Sequence, residues 1–578
     1  MKIREKATLG ILASVLAFSS GILAPVPVWA AGAASQPAKR IQQVPFQAGP
    51  GIAVARTRAG LVQGYKRQGI YTYHGIPYAE AEERFQRAKP VKPWQGIRLA
   101  VEYGPIAQQE KGSFPTSNWV EPGRDFAMSN NSQNLNVWTP GIHDGKKRPV
   151  MVWLHGGGFS NGSSAESPAY DGENLSRRGD VVVVSVNHRL NVLGHLDLSQ
   201  YGAKYKDSAN VGITDLVDAL HWVQDNIAEF GGDPRNVTLF GESGGGAKVL
   251  ALMTTPEAKG LFRKGIVESG AVESMGPYFM PRQQSRRIAQ LTLQNLGLAP
   301  AQVDQLETIP YDKLAQASDA ALAQAGKEFD VPLWDHSGYG LSWEPIIDGS
   351  FLPTNPATDQ GFAEAGRDIP LLIGSNRTEW SNFTLLLDLQ HSQSDNIYSW
   401  NQQQIEAALD KKYGEQKEAV VREFLKAYPN KTRADALYID TMIRQPILKV
   451  ARHKVAQDGA PVYNYLFTWD SPVMGGSYMS YHTAEIPFVF HNIDKLEARI
   501  GDGADARKLQ DQMSDAWIAF ARTGKPAVPG GPEWKPFTRK QENVMIFDDQ
   551  VRLADAPDYA LLKLVDPGYQ DSLPPIDR

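Results

Sequence analysis

One stretch limits what this chain can fold into more than any other: Val237-Thr238-Leu239-Phe240-Gly241-Glu242-Ser243-Gly244-Gly245-Gly246. Its first half is β-branched and aromatic, as a buried strand should be, and it stops abruptly in Gly-x-Ser-x-Gly. Ala247-Lys248-Val249-Leu250-Ala251-Leu252-Met253 follows at once and suits a helix. A strand, a sharp turn and a helix are therefore predicted, with Ser243 on the corner. The flanking glycines supply the backbone room such an elbow needs. The serine hydroxyl would stand above a helix N-terminus, where free N–H groups favour negative charge. Gly158-Phe159-Ser160-Asn161-Gly162 has the same spacing, but Ser163, Ser164, Pro168 and Gly172 follow it. That is loop chemistry with no helix to complete an elbow, so Ser160 is set aside.

The rest of the chain supplies a frame for that corner. Val150–Leu154 and Val181–Val186 are continuous apolar runs, as strands buried on both faces require. Residues 211–230 carry Leu216, Ala219, Leu220, Val223 and Ile227 on one helical face, and Gly231-Gly232-Asp233-Pro234 ends that helix. Further strands are predicted at Gly265–Ser269, Ile369–Gly374, Pro461–Phe467 and Asn543–Phe547. Helices are predicted over 400–456 and 505–522. Residues 51–80 alternate apolar and polar positions and read as antiparallel strands at a sheet edge. Residues 81–131 read as irregular, and Asn134–Trp138 after them reads as a strand. Residues 280–330 read as a polar helical insertion of the kind that caps a site. The pattern is α/β, with a large, mostly parallel central sheet covered by helices on both faces and helical cap insertions. No internal linker is apparent, so residues 47–578 are expected to form one domain.

Composition narrows the function classes. The formal net charge of −5 and the lack of a basic run argue against a nucleic-acid partner. With no cysteine there is no disulfide, thiolate metal site or cysteine nucleophile. At the start, Lys2, Arg4 and Lys6 precede an apolar run from Ala7 to Ala24, then Pro25, Pro27 and the small-x-small triplet Val28-Trp29-Ala30. Residues 1–30 therefore read as a cleaved signal peptide and 31–46 as a flexible leader. Thr8, Ser14, Ser19, Ser20 and Gly21 weaken the alternative, an uncleaved anchor. A periplasmic or extracellular location is expected, without stable membrane insertion.

A serine hydroxyl needs a histidine to take its proton and an acid to orient the imidazole. In a strand–elbow–helix frame these partners follow the serine in the chain, on loops after strands. His482, in Tyr481-His482-Thr483-Ala484-Glu485, follows a predicted strand. His453 falls within a helix pattern, and His336, His391 and His491 have weaker strand-end context. For the acid, Glu379 lies just past a strong strand, while Asp348-Gly349 reads equally as turn chemistry. The backbone N–H of Gly244 and the run Gly156-Gly157-Gly158 are the oxyanion donors expected. Neither a metal nor a cofactor is called for.

Several longer runs carry a resemblance. Gly75-Ile76-Pro77-Tyr78-Ala79, Leu135-Asn136-Val137-Trp138-Thr139-Pro140, His155-Gly156-Gly157-Gly158-Phe159, Val186-Asn187-His188-Arg189-Leu190 and Phe240-Gly241-Glu242-Ser243 are similar to the markers of type-B carboxylesterases. That family includes cholinesterases and para-nitrobenzyl esterases, and the likeness runs from about Gly60 to Phe547. It implies an α/β-hydrolase fold and a small-molecule ester substrate. It implies Ser243 as nucleophile, Glu379 as acid, His482 as base, and Gly157, Gly158 and Gly244 as oxyanion donors. It adds Glu242 and Ser269 as residues supporting the site.

The chain departs from the family in four places. Gly244 stands where alanine is common, which predicts a looser loop. Ser129-Asn130-Asn131-Ser132-Gln133 replaces a stretch that usually carries a disulfide cysteine and two carboxylates. Trp380 stands where a small residue is usual. Trp119 is near the aromatic that would bind choline, but the loop length differs, so no cholinesterase activity is inferred. Two other readings use the same scaffold: a catalytically silent binding protein, and a hydrolase of amide, carbamate or thioester bonds.

Overall fold

The computed structural model describes residues 45–110, 126–333, 340–381, 396–575. The signal-peptide reading, nearly all of the leader, Trp119, His336 and His391 lie outside the described residues. Pro45–Arg578 forms one compact unit.

Its frame is a twelve-stranded sheet. The strands are β1 (Phe46–Gln47), β2 (Tyr65–Arg67), β3 (Ile70–Pro77), β4 (Asn134–Thr139), β5 (Arg148–Leu154) and β6 (Val182–Val186). They continue as β7 (Gly232–Glu242), β8 (Lys264–Glu268), β9 (Leu371–Asn376), β10 (Val462–Phe467), β11 (Asn543–Phe547) and β12 (Arg552–Asp555). The spatial order is β1-β2-β3-β4-β6-β5-β7-β8-β9-β10-β11-β12. From β6 to β11 every neighbour is parallel, and the strands outside that core are antiparallel.

The period of two decides which side chain goes where. Val150, Val152 and Leu154 of β5 enter one core, and Met151 and Trp153 enter the other. β6 divides in the same way, with Val182, Val184 and Val186 against Val183. Strands sandwiched like this must be apolar throughout, which is why they are legible as unbroken runs. Helices α1 (Val211–Asn226), α2 (Gly244–Thr254) and α5 (Arg444–Ala456) cover the first face. α6 (Ala504–Thr523) covers the second, with Met513, Trp517 and Phe520 fully buried. Between these helices in sequence, α3 (Arg282–Asn295) and α4 (Tyr311–Phe329) pair into the expected cap and share a third core with Val192 and Leu193. Among the described residues, no helix is long and apolar enough to cross a membrane.

Three local expectations change. Phe46, assigned to the flexible leader, begins an edge strand because Phe46 and Gln47 pair with Arg67 and Lys66. Of the strands expected at the sheet edge over 51–80, only β2 and β3 join the main sheet. Val54–Arg56 and Leu61–Gln63 form a separate small sheet with Ile97–Leu99. The stretch 81–131, read as irregular, supplies that third strand and a pair formed by Ile106–Ala107 with Met128–Ser129.

Register brings the chemistry to one rim. Leu154 pairs with Gly241, Glu242 with Glu268, and Glu268 with Gly374. The loops after β5, β7, β8 and β9 therefore emerge side by side at the carboxyl edge, where open α/β sheets bind ligands. The motif arginine fastens this edge to α1. Arg189 donates from Nε and Nη2 to the two oxygens of Asp215, at 2.9 and 2.6 Å. Both side chains are buried. Arg189→Met should cost about 3–5 kcal/mol, because the buried ion pair loses one partner. A fall in the urea unfolding midpoint reads it, and an unchanged midpoint would remove this pair from the account.

Candidate active site

The elbow forms where the chain predicts it. Ser243 has φ 54° and ψ −128°, a conformation side chains avoid, and α2 begins at the next residue. Its N–H donates to the Glu268 carbonyl at 2.8 Å, so the neighbouring strand holds the corner in place. The glycines after it serve approach as much as turning. A Cβ on Gly244 would lie 2.2 Å from the Gly158 carbonyl oxygen, and one on Gly245 would lie 2.0 Å from the Leu154 oxygen. The expectation of a looser loop at Gly244 is thereby corrected. Removing the methyl lets the glycine loop close on the elbow, and an alanine would force it back.

Glu379 and His482 meet through loops that brace each other. Asn376 Nδ2 donates to the Tyr481 carbonyl at 2.8 Å, and the His482 N–H donates to the Glu379 carbonyl at 2.8 Å. With their backbones set, His482 Nδ1 lies 2.7 Å from Glu379 Oε2. Glu379 Oε1 accepts from the Asn376 N–H at 2.7 Å and from Ser269 Oγ at 2.8 Å. When Glu379 is ionised it can only accept, so Nδ1 then carries the imidazole proton and Nε2 keeps its lone pair. Burial is the main influence on both groups. It pushes His482 down to about 4, so the ring is neutral at neutral pH. It pushes Glu379 up, against the two donors on Oε1. Trp380 leaves Glu379 in place and packs its own ring on the imidazole, 4.8 Å between centroids. Glu242 Oε1 lies 3.4 Å from His482 Nδ1. Burial, then the nearby Glu485 and Glu379, raise Glu242 well above the usual carboxylate range.

The loop after β5 forms the facing wall. Gly157 and Gly158 have φ of 79° and 59°, which glycine adopts without strain. Neither they nor Gly244 donate a backbone hydrogen bond to another described residue, and Gly157 and Gly158 border the same cavity as Ser243. Ser243, His482, Gly157, Gly158 and Ser269 border one cavity of about 440 Å³. Its far wall comes from the cap and is chiefly apolar, with Leu322 on α4 and Leu341 and Trp343 beyond it. Ser160 also borders this cavity, but in a turn with no helix after it.

Other candidates go elsewhere. Asp348 accepts the Ser350 and Leu352 N–H groups, which is turn chemistry. His453 sits on α5 near Asp359, and His491 pairs with Asp511 at the surface. Three site residues had no signal in the sequence. Glu485 is buried, accepts from Asn376 Nδ2 at 2.6 Å, and lies in the same loop as His482. Glu166 borders the cavity, where burial pushes it up to about 7. Lys248 is fully buried on α2. Glu485 and Lys248 take their partners from other elements, and Glu166 accepts the Ser163 N–H within its own loop at 2.9 Å, as many turn carboxylates do.

The model of the carboxylesterase family matches residues 52–561. The chain belongs to the carboxylesterase family. This carboxylesterase is 34% identical over 514 residues to the para-nitrobenzyl esterase of Bacillus subtilis, covering 87% of this chain and 96% of the relative. It is 32% identical to the phenmedipham hydrolase of Pseudarthrobacter oxydans, over 86% of this chain and 95% of the relative. Among solved structures, it overlays with a TM-score of 0.80 and 38% identity on an esterase from Clostridium hathewayi described as hydrolysing aliphatic aromatic polyesters. That overlay covers 92% of this chain and all of the other. The shared fold is the α/β-hydrolase fold.

Ser269 offers a test of the acid. Its hydroxyl stabilises the ionised form of Glu379, so Ser269→Ala should make that form require a higher pH. The acid limb of kcat/KM for an aryl ester should move up by about one unit, the worth of one charge-assisted hydrogen bond. A limb that stays in place or moves down would show that Ser269 does not support Glu379.

Proposed function

We propose that this carboxylesterase cleaves esters through an acyl-enzyme made on Ser243. Ser243 Oγ attacks the ester carbonyl while His482 Nε2 takes its proton. The oxyanion is met by the N–H groups of Gly157, Gly158 and Gly244. The tetrahedral intermediate collapses as His482 returns the proton to the departing alcohol. Water, activated by the same imidazole, then releases the acid. Glu379 holds the ring in the tautomer that leaves Nε2 able to accept. The observation that carries this reading is the 2.7 Å contact of His482 Nδ1 with Glu379 Oε2, beside a cavity that also holds the strained Ser243.

The substrate class follows from the cavity. Its volume and its apolar wall of Leu322, Leu341, Trp343 and Trp380 suit esters with a bulky aliphatic or aryl group. Relatives named for para-nitrobenzyl esters and aliphatic aromatic polyesters agree with that class. Export is part of the same proposal, supported by the basic, apolar and small-x-small pattern of residues 1–30. Secreted protein whose intact mass retains residues 1–30 would remove the cleaved signal peptide.

Ser243→Ala should lower kcat on a short aryl ester by about five to six orders of magnitude. Glu379→Gln should lower it by about four. A fluorophosphonate probe should label Ser243 in the unaltered enzyme alone. Full activity in Ser243→Ala would remove the nucleophile assignment, and absence of the adduct would favour a catalytically silent scaffold. A panel of esters, amides, carbamates and thioesters then identifies the scissile bond.

A further inference from the structure

Lys248 is out of place by composition. It sits in the second turn of α2 within Ala247–Met253, where every other residue is apolar, and its side chain is fully buried. Burying an amine is costly unless its hydrogens find acceptors. Here they find the glycine loop. Nζ donates to the His155 carbonyl at 2.8 Å and approaches the Gly156 carbonyl at 3.5 Å. His155 Nδ1 holds the Gly156 oxygen from another side, at 2.9 Å.

The peptide between Gly156 and Gly157 is the link to the chemistry. It is trans, so its C=O and N–H point in opposite directions. Anchoring the Gly156 oxygen away from the cavity therefore turns the Gly157 N–H toward it. A donor on the carbonyl also polarises the peptide and strengthens that N–H as a donor in turn. Glycine offers little resistance to a peptide flip here, since Gly157 and Gly158 sit at φ 79° and 59° with no side chain to lock them. Because Lys248 and Ser243 belong to one elbow and helix, the anchor also sets the loop relative to the attacking hydroxyl.

We propose that Lys248 is a positioning residue that holds the oxyanion-binding peptide of the glycine loop in register with Ser243. Burial, the chief influence on the amine, lowers it to about 7, and the geometry serves in either protonation state because a neutral amine still donates. The proposal rests on the acyl-enzyme reading above.

Lys248→Met keeps the length and removes the donor. Its kcat on an aryl ester should fall about ten- to hundredfold, less than the roughly hundred- to thousandfold of losing an oxyanion donor outright because the donor is misplaced and not removed, with KM within about twofold. Affinity for a trifluoromethyl ketone, which forms an oxyanion on the serine, should fall by the same factor as kcat. Affinity for the matching unfluorinated ketone should hold. Equal losses for the two ketones, or unchanged kcat, would overturn the positioning role. If Lys248→Met does not fold, Lys248→Gln keeps a shorter donor and is judged by the same ratio of ketone affinities. Activity surviving in Ser243→Ala would instead bring down the acyl-enzyme reading, so the two failures are distinguishable.

Discussion

The backbone of Ser243 is held in a conformation that costs of order 1–3 kcal/mol for a residue with a side chain. Such a state persists only where the surroundings leave no alternative. Here β7 is fixed on both sides by parallel neighbours, its end is hydrogen-bonded to the Glu268 carbonyl, and α2 must start at once to cover the sheet. The glycines then admit the Leu154 and Gly158 backbones within distances no other residue allows. The same constraint puts the hydroxyl clear of the sheet and the glycine loop beside it.

Charge inside the site is governed by the absence of water. Glu242, Glu268, Glu379 and Glu485 are fully buried, and burial raises each of them. What separates Glu379 is its donors: the Asn376 N–H and the Ser269 hydroxyl on one oxygen, and the imidazole on the other. Glu268 instead accepts from the Trp517 indole at 2.7 Å, which ties α6 to the sheet directly behind the elbow. Glu242 has no hydrogen-bond partner on either oxygen among the described residues. Carboxylates of one chemical type thus take different duties according to what donates to them.

Legibility tracked the physics of each element. β5 and β6 were readable because both faces are buried, which forces unbroken apolar runs. The cap was readable from its polar helical repeat, and the placing of Glu379 and His482 on loops after β9 and β10 from the strand runs before them. The short strands near Ile97 and Ile106 were not, since two or three residues carry no period. The tight packing at Gly244 was read in the wrong sense. A missing methyl looks like freedom in the chain, and only the carbonyl of Gly158 lying against it shows that the space is filled. Lys248 and Glu485 were silent because their partners lie on other elements, and Glu166 because only the fold brings its loop to the cavity.

By itself the sequence determined the alternation of strands and helices, the elbow at Ser243 and the placing of Glu379 and His482 on loops after strands. These depend on local sterics and on a burial pattern that repeats every two or three to four residues. The tertiary structure alone decided which loops meet at the carboxyl edge, which carboxylate receives the donors, and what a buried lysine holds. Those outcomes depend on register between strands hundreds of residues apart and on the exclusion of water, and neither leaves a mark in any short window of sequence.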